Sequence, residues 1–388
     1  MSFNKLIWVI YFLGFVVDER IGGGIGHDNV VNPDLKRFKF PALYNFGDSN
    51  SDTGGRSAAI ADVPLTNAET FFGVPSGRFC DGRLIIDFIA EKLGLPYLSA
   101  YLDSIGTNFR HGANFAIAGS SIRHGGYSPF PLDIQIAQFL RFKSQTAALY
   151  KNCSNKMTIQ SNLPRPEDFS NALYMFDIGQ NDLAFGFQNS TIAETQASIP
   201  KMINKFAAAV NKLYNAAGAR NFWVHNTGPI GCIPFNKKYY RSKPDKLDMN
   251  GCVEVLNRVA REFNKQLKEK VLQLGKDLPG AAFTFVDVYS VKYSLVSDAK
   301  KLGFEDPFEC CSSGNFGNTV DCGNKTIVNG TVYVNPCPNP SRLISWDSLH
   351  YTEAANMFVA NIILNASLGP QSLNSKGLPQ FHDPKQLI

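Results

Sequence analysis

Five short apolar runs separated by stretches of helical period predict an α/β fold. The arrangement is a three-layer α/β/α sandwich on a five-stranded parallel, flavodoxin-like sheet. Three observations carry this. The runs Ala42–Phe46, Ala113–Ala118, Leu173–Ile178, Phe222–His225 and Ala282–Val288 have the length and content of buried strands. Most are followed by helical patterns, as expected when parallel strands are joined by crossover helices on both faces. The chain also carries 30 Phe and 14 Tyr, enough apolar area for a large core.

In chain order, Ala42–Phe46 stops at Gly47. Gly82–Leu93 reads as a helix with Ile85, Ile86 and Ile89 on one face. The second run, Ala113–Ala118, stops at Gly119, and Asp133–Tyr150 follows as an amphipathic helix. Leu173–Ile178 stops at Gly179. Ile199, Met202, Ile203, Phe206, Val210 and Leu213 then recur at helical spacing, with Gly218 as the C-terminal stop. A long helix over 252–274 separates the fourth run from the fifth, and a helix over Thr352–Leu364 closes the pattern. The segment 303–340 is rich in Cys, Gly, Asn and Pro and reads as a disulfide-stapled surface insertion. No internal repeat and no dividing linker interrupts the chain.

Composition narrows the function classes. Lys and Arg number 38 against 33 Asp and Glu, a net charge of only +5 with no basic run, which disfavours nucleic acid as a partner. Leu6–Val17 is apolar behind Lys5; twelve residues suit the core of a signal peptide, whereas a span needs about 20. Residues 1–26 are therefore expected to be a cleaved signal, leaving no stable membrane anchor. Five glycosylation sequons begin at Asn152, Asn189, Asn324, Asn329 and Asn365. Eight cysteines, four of them within 310–337, point to disulfides in an oxidising compartment and against a metal site, since no C-x₂-C pair is present. Cys232 and Cys252 form a reasonable local pair, two bridges are expected within 310–337, and Cys80 and Cys153 are either free or paired.

Ligands of open parallel sheets bind outside the carboxyl ends of the strands. Three such ends carry Gly47-Asp48-Ser49-Asn50-Ser51-Asp52-Thr53-Gly54-Gly55, Ala118-Gly119-Ser120 and Gly179-Gln180-Asn181-Asp182, spread over more than 130 positions in sequence. Taken singly, each is an ordinary turn. Together they hold a hydroxyl, a residue small enough for close backbone approach and a side-chain amide, which is the inventory for acyl transfer. Of six histidines, His27 and His382 lie near the termini, and His225 within a strand reads as a hydrogen-bonded core residue. His111 and His124 flank the second strand and are candidates for lining the cleft. His350 follows Asp347 by three positions, a spacing that can set a carboxylate against Nδ1.

With these residues assembled, the chain resembles a plant GDSL esterase/lipase of the SGNH hydrolase superfamily. The matching segments are Phe46–Ser49, Gly112–Gly119, Gly179–Asp182 and Asp347–His350, in the family's order. Asn45–Gly55, Ser76–Ile89 and Trp346–Ala355 resemble its early-nodulin-like branch. The resemblance implies one SGNH hydrolase domain over 40–368, with the Cys-rich insertion at 303–340 and a C-terminal tail at 369–388. It implies catalytic Ser49, Asp347 and His350, an oxyanion hole from the Ser49 and Gly119 N–H groups and the Asn181 amide, and no cofactor. Ser348 stands where the family usually has Gly, which is expected to tighten that turn.

The resulting expectation is a secreted serine esterase, in apoplast, cell wall or vacuole, acting on a small-molecule or cell-wall carbohydrate ester through an acyl-enzyme. An acyltransferase with the same triad is the nearest alternative. A non-catalytic secreted glycoprotein is the alternative from another class, and a glycosidase is a weaker one, because no facing pair of carboxylates can be named.

Overall fold

Each of the five apolar runs becomes a strand of one parallel sheet: β1 (Leu43–Gly47), β2 (Gly112–Asn114), β3 (Leu173–Asp177), β4 (Asn221–His225) and β5 (Ala282–Val286), in the order β2-β1-β3-β4-β5. The structure is a computed structural model and describes residues 39–60, 69–73, 76–152, 156–240, 247–305, 325–328, 331–334 and 339–368. Register pairs Leu43 with Gly112 on one side and with Leu173 on the other, Tyr174 with Phe222, and Phe222 with Phe283. The order reverses at β1, so the crevice at the carboxyl ends of β1, β2 and β3 is the topological switch point at which such sheets bind ligands.

Seven longer helices cover the sheet: α1 (Ile85–Lys92), α2 (Leu132–Asn152), α3 (Gln180–Asn189), α4 (Ile199–Lys212), α5 (Glu254–Asp277), α6 (Val288–Ser297) and α7 (Glu353–Leu368). Alternation along the strands separates two cores. Tyr44, Phe46, Tyr174, Phe176 and Phe222 point to one face and pack with Phe139, Phe206 and Phe263 of α2, α4 and α5. Leu43, Leu173, Met175 and Trp223 point to the other and pack with Ile86, Leu295 and Val359 of α1, α6 and α7. The aromatic excess is spent on the first face, where Phe139 stands edge-on to Tyr44, Phe46 and Tyr174 at 4.9–5.7 Å between ring centroids.

Three sequence boundaries shift for physical reasons. The second strand ends at Asn114, not Ala118. Phe115 and Ile117 still donate to β1, but the alternate N–H groups of Ala116 and Ala118 donate to the side chains of Asn114 (3.0 Å) and Asp52 (2.7 Å). The fifth strand ends at Val286, because Asp287 caps α6 by accepting from the Ser290 N–H. The long helix begins at Glu254 and runs on to Asp277. Gly218 does stop the helical stretch that begins at Ile199, with φ +77°, a conformation open to glycine at little cost.

Cys232 and Cys252 are joined by a disulfide, and Cys80 is a buried free thiol. Cys153, Cys310, Cys311, Cys322 and Cys337 lie outside the described residues, as do the signal segment, the C-terminal tail, Asn324 and Asn329. Within 303–340 the structure describes the start and end of the segment and an antiparallel pairing of 325–328 with 331–334. Asn152, Asn189 and Asn365 are exposed. Among the described residues no helix is long and apolar enough to cross a membrane.

Candidate active site

A cavity of about 460 Å³ opens at the switch point, and Ser49, Gly119, Asn181 and His350 all line it. Four chain segments remote in sequence thus meet, each held by hydrogen bonds from buried neighbours.

The Ser49 turn hangs from β1. The Asp48 carboxylate accepts from the Asn50 N–H at 3.0 Å and from the Asn50 side chain at 3.2 Å, while the Ser51 N–H returns to the Asp48 carbonyl. Below it, Asn45 donates to the Ser51 hydroxyl (2.9 Å) and to Asn114 (2.8 Å), and Asn114 donates to the Ser51 carbonyl (2.6 Å). Gln135 of α2 brackets Gly47, accepting from its N–H and donating to its carbonyl.

Two buried carboxylates couple this turn to its neighbours. Asp52 accepts from the N–H groups of Gly54, Gly55, Arg56 and Ala118, which ties the serine turn to the Gly119 loop. Asp182, at the start of α3, accepts from Ile122 and Arg123 on the far side of that loop; burial pushes its carboxyl up to about 6 against these bonds. The Asn181 amide donates to the Ser120 carbonyl at 3.0 Å. An amide NH₂ has two donors, so a second remains for the cavity. Gly119 has φ +82°, and a Cβ there would stand 3.2 Å from the Tyr127 side chain. The loop therefore needs glycine for both its backbone conformation and its space.

The fourth segment is the 345–351 loop, closed by the Trp346 N–H donating to the His350 carbonyl. Asp347 Oδ2 faces His350 Nδ1 at 2.5 Å, and Oδ1 accepts from the N–H groups of Leu349 (3.0 Å) and His350 (2.7 Å). Burial alone would raise the Asp347 carboxyl, but the imidazole and these N–H groups outweigh it and hold it below the usual carboxylate range. The Phe79 ring packs 5.2 Å from the imidazole.

Ser348 has φ +68°, the one non-glycine residue with positive φ among the described residues. This turn is left-handed rather than merely tighter, at a cost of roughly 1–2 kcal/mol for an L-residue. Ser348→Gly is expected to raise stability by about 0.5–1 kcal/mol once glycine's greater unfolded entropy is subtracted. The denaturation midpoint in urea measures it. A lowered midpoint would mean that the serine side chain contributes more than the strain it imposes.

Two histidine expectations are corrected. His111 lies at the amino-terminal end of β2, where Nδ1 meets the Pro41 carbonyl at 3.0 Å, so the sheet itself separates it from the cavity. His124 is exposed and pairs with Asp133 of α2 through Nε2 at 2.7 Å. Neither lines the cavity. His225 is the buried core residue its strand context suggests, with Nδ1 3.1 Å from Asp177. Sequence reading missed the holding roles of Asn45, Asn114, Gln135, Asp52 and Asp182, and the cavity residues Arg56 and Lys292. Asp52 and Asp182 sit in the quoted turn motifs, and that proximity was the available signal.

A histidine backed by a carboxylate and sharing one cavity with a serine turn, a glycine loop and a side-chain amide fits one class: a hydrolase of carboxylic esters. A model of the GDSL-like lipase/acylhydrolase family matches residues 43–363, and the chain belongs to that family. Among its relatives is a GDSL esterase/lipase of Arabidopsis thaliana, 52% identical, covering 85% of this chain and 87% of the relative. The Medicago truncatula GDSL esterase/lipase ENOD8 is 45% identical, covering 85% and 87%. A third, named Alpha-L-fucosidase 3 in Arabidopsis thaliana, is 47% identical, covering 82% and 89%.

Proposed function

We propose that the chain is a secreted serine esterase working through an acyl-enzyme, on acyl or acetyl esters of cell-wall carbohydrates or small metabolites. The observation that carries this reading is His350, paired with Asp347 behind it, on the same cavity as Ser49, Gly119 and Asn181. In the proposed cycle the Ser49 hydroxyl attacks the ester carbonyl carbon and its proton passes to His350 Nε2. Asp347, kept ionised, steadies the imidazolium. The N–H groups of Ser49 and Gly119 and the free donor of Asn181 receive the oxyanion. Collapse breaks the carbon–oxygen bond to the alcohol, which leaves with the proton from His350. Water then attacks the acyl-serine by the same steps in reverse, releasing the acid.

The apolar run at Leu6–Val17 and the exposed Asn152, Asn189 and Asn365 support the secreted reading. A glycosidase reading draws on the name of one relative. Hydrolysis of glycosides ordinarily needs two carboxyl groups across the sugar, and no Asp or Glu is among the described residues lining the cavity.

A fluorophosphonate probe followed by peptide mapping tests the reading: one label is expected, on Ser49. A label elsewhere, or none on folded protein that hydrolyses esters, would overturn it. Asn181→Ala is expected to lower kcat by about 10²–10³ with little change in KM, because its amide meets the charged oxygen of the transition state. Saturation kinetics with an acetyl ester measure this. A raised KM at unchanged kcat would assign Asn181 to ordinary substrate contact.

A further inference from the structure

Lys292 of α6 lines the same cavity, yet it is only 3% exposed and takes no part in the proposed cycle. Its ammonium stands over the Tyr351 ring, 4.5 Å from the centroid. Among the described residues it has no hydrogen-bond acceptor and no carboxylate within ion-pair distance. The two carboxylates that act on it are Asp177, at the end of β3, and Asp48, in the serine turn, and neither forms an ion pair with it. Asp177 meets His225 Nδ1, and Asp48 Oδ1 accepts from Asn50, while Asp48 Oδ2 is buried without a hydrogen-bond partner among the described residues and beyond ion-pair distance of the ammonium. Burial and the neighbouring Asp177 push the Asp48 carboxyl towards its neutral form. Burial lowers the Lys292 pKa and outweighs Asp177 and Asp48, which work to raise it. Three N–H donors are therefore withdrawn from bulk water with an aromatic face as their contact, a costly arrangement unless something supplies acceptors.

The rest of the cavity wall points to what supplies them. Arg56 is a second lining cation; its guanidinium donates to the Ala118 carbonyl at 3.2 Å and makes no ion pair among the described residues. With two cations on the wall and no Asp or Glu among the described lining residues, the cavity is complementary to negative charge.

Resting on the esterase reading above, we propose that Lys292 is a specificity-determining residue, and that the preferred substrate is an ester carrying a free carboxylate that its ammonium receives. A carboxylate supplies two acceptor oxygens and a full charge where a hydroxyl supplies neither in the same measure.

Two substrate pairs test this: 4-acetoxybenzoate against its methyl ester, with the charge on the alcohol half, and monoethyl against diethyl adipate, with it on the acyl half. Wild type is expected to favour the free acid of at least one pair by about ten- to hundredfold in kcat/KM, as for a hydrogen bond to a charged group. Lys292→Met is expected to collapse that ratio to within about threefold, while thermal melting reports whether it folds. Preference for the neutral ester in both pairs, or a Lys292→Met variant that keeps the ratio, overturns the proposal. The wild-type ratios decide it even if the variant does not fold. If none of the four esters is cleaved, the esterase reading fails. Calorimetry with 4-hydroxybenzoate and its methyl ester still decides the anion site: tighter binding of the acid to wild type supports it, and equal or weaker binding overturns it.

Discussion

Ser49→Ala is expected to lower kcat for ester hydrolysis by about 10⁶ and to abolish fluorophosphonate labelling, with the fold unchanged. The loss is large because no second serine, and no threonine or cysteine, is among the described residues lining the cavity. Without the hydroxyl, His350 has only water to activate, and the oxyanion donors are left to assist an uncatalysed attack. The fold should survive because the turn is held without Ser49 Oγ. Asp48, Asn50 and Ser51 bond to one another, and Asn45, Asn114 and Gln135 brace them from below. Single-turnover and saturation kinetics beside a thermal melt check both halves. More than a trace of activity in a variant that melts like wild type would remove Ser49 from the nucleophile's role.

Asp347→Asn is expected to lower kcat at neutral pH by about 10³–10⁴, although the side chain barely changes shape; the equivalent change in a serine protease costs about 10⁴. The hydrogen bonds decide which way the amide turns. Oδ1 accepts from two backbone N–H groups, so the amide oxygen belongs there, and its NH₂ is left facing His350 Nδ1. A donor against Nδ1 favours the tautomer with hydrogen on Nε2, which cannot take the Ser49 proton. The substitution also removes a charge. In the native protein, burial raises the carboxyl but the imidazole and the Leu349 and His350 N–H groups hold it below its ordinary value. Its stabilising contribution is therefore complete above the unfolded carboxylate range and is lost as pH falls through the lower folded value. Activity of Asp347→Asn should recover partly at high pH, where hydroxide replaces the missing base. Activity near wild type at neutral pH would mean that Asp347 only shapes the loop, leaving Ser49 and His350 as a dyad.

Much of this was legible in the amino-acid order because the signals are local. A strand buried on both faces must be apolar throughout, so Ala42–Phe46 and Leu173–Ile178 announce themselves. A helix packed on one side repeats its apolar residues with its own period, so Ile199 to Leu213 does too. Strands alternating with helices imply a parallel sheet, and a parallel sheet implies that its carboxyl-end turns share one edge. Ser49, Gly119 and Asn181 could therefore be grouped from the linear text, with the Asp347 and His350 spacing beside them.

Long-range complementarity decided the remainder. Nothing near Asn114 in the chain says that its side chain and that of Asp52 will occupy the N–H groups of Ala116 and Ala118 and so end the second strand early. Nothing near His111 says that it stands at the opposite end of the sheet from the cavity until parallel register with Leu43 is known. Lys292 was invisible for the same reason. In sequence it is one lysine among the 38 basic residues of a nearly neutral chain. Its burial against Tyr351, on a wall without carboxylates among the described residues, arises only when α6 packs beneath the 345–351 loop. Local order selects which backbone conformation each segment adopts, since periodicity and turn chemistry act over a few residues. The environment of a charge depends on every segment that closes around it, and so belongs to the folded chain alone.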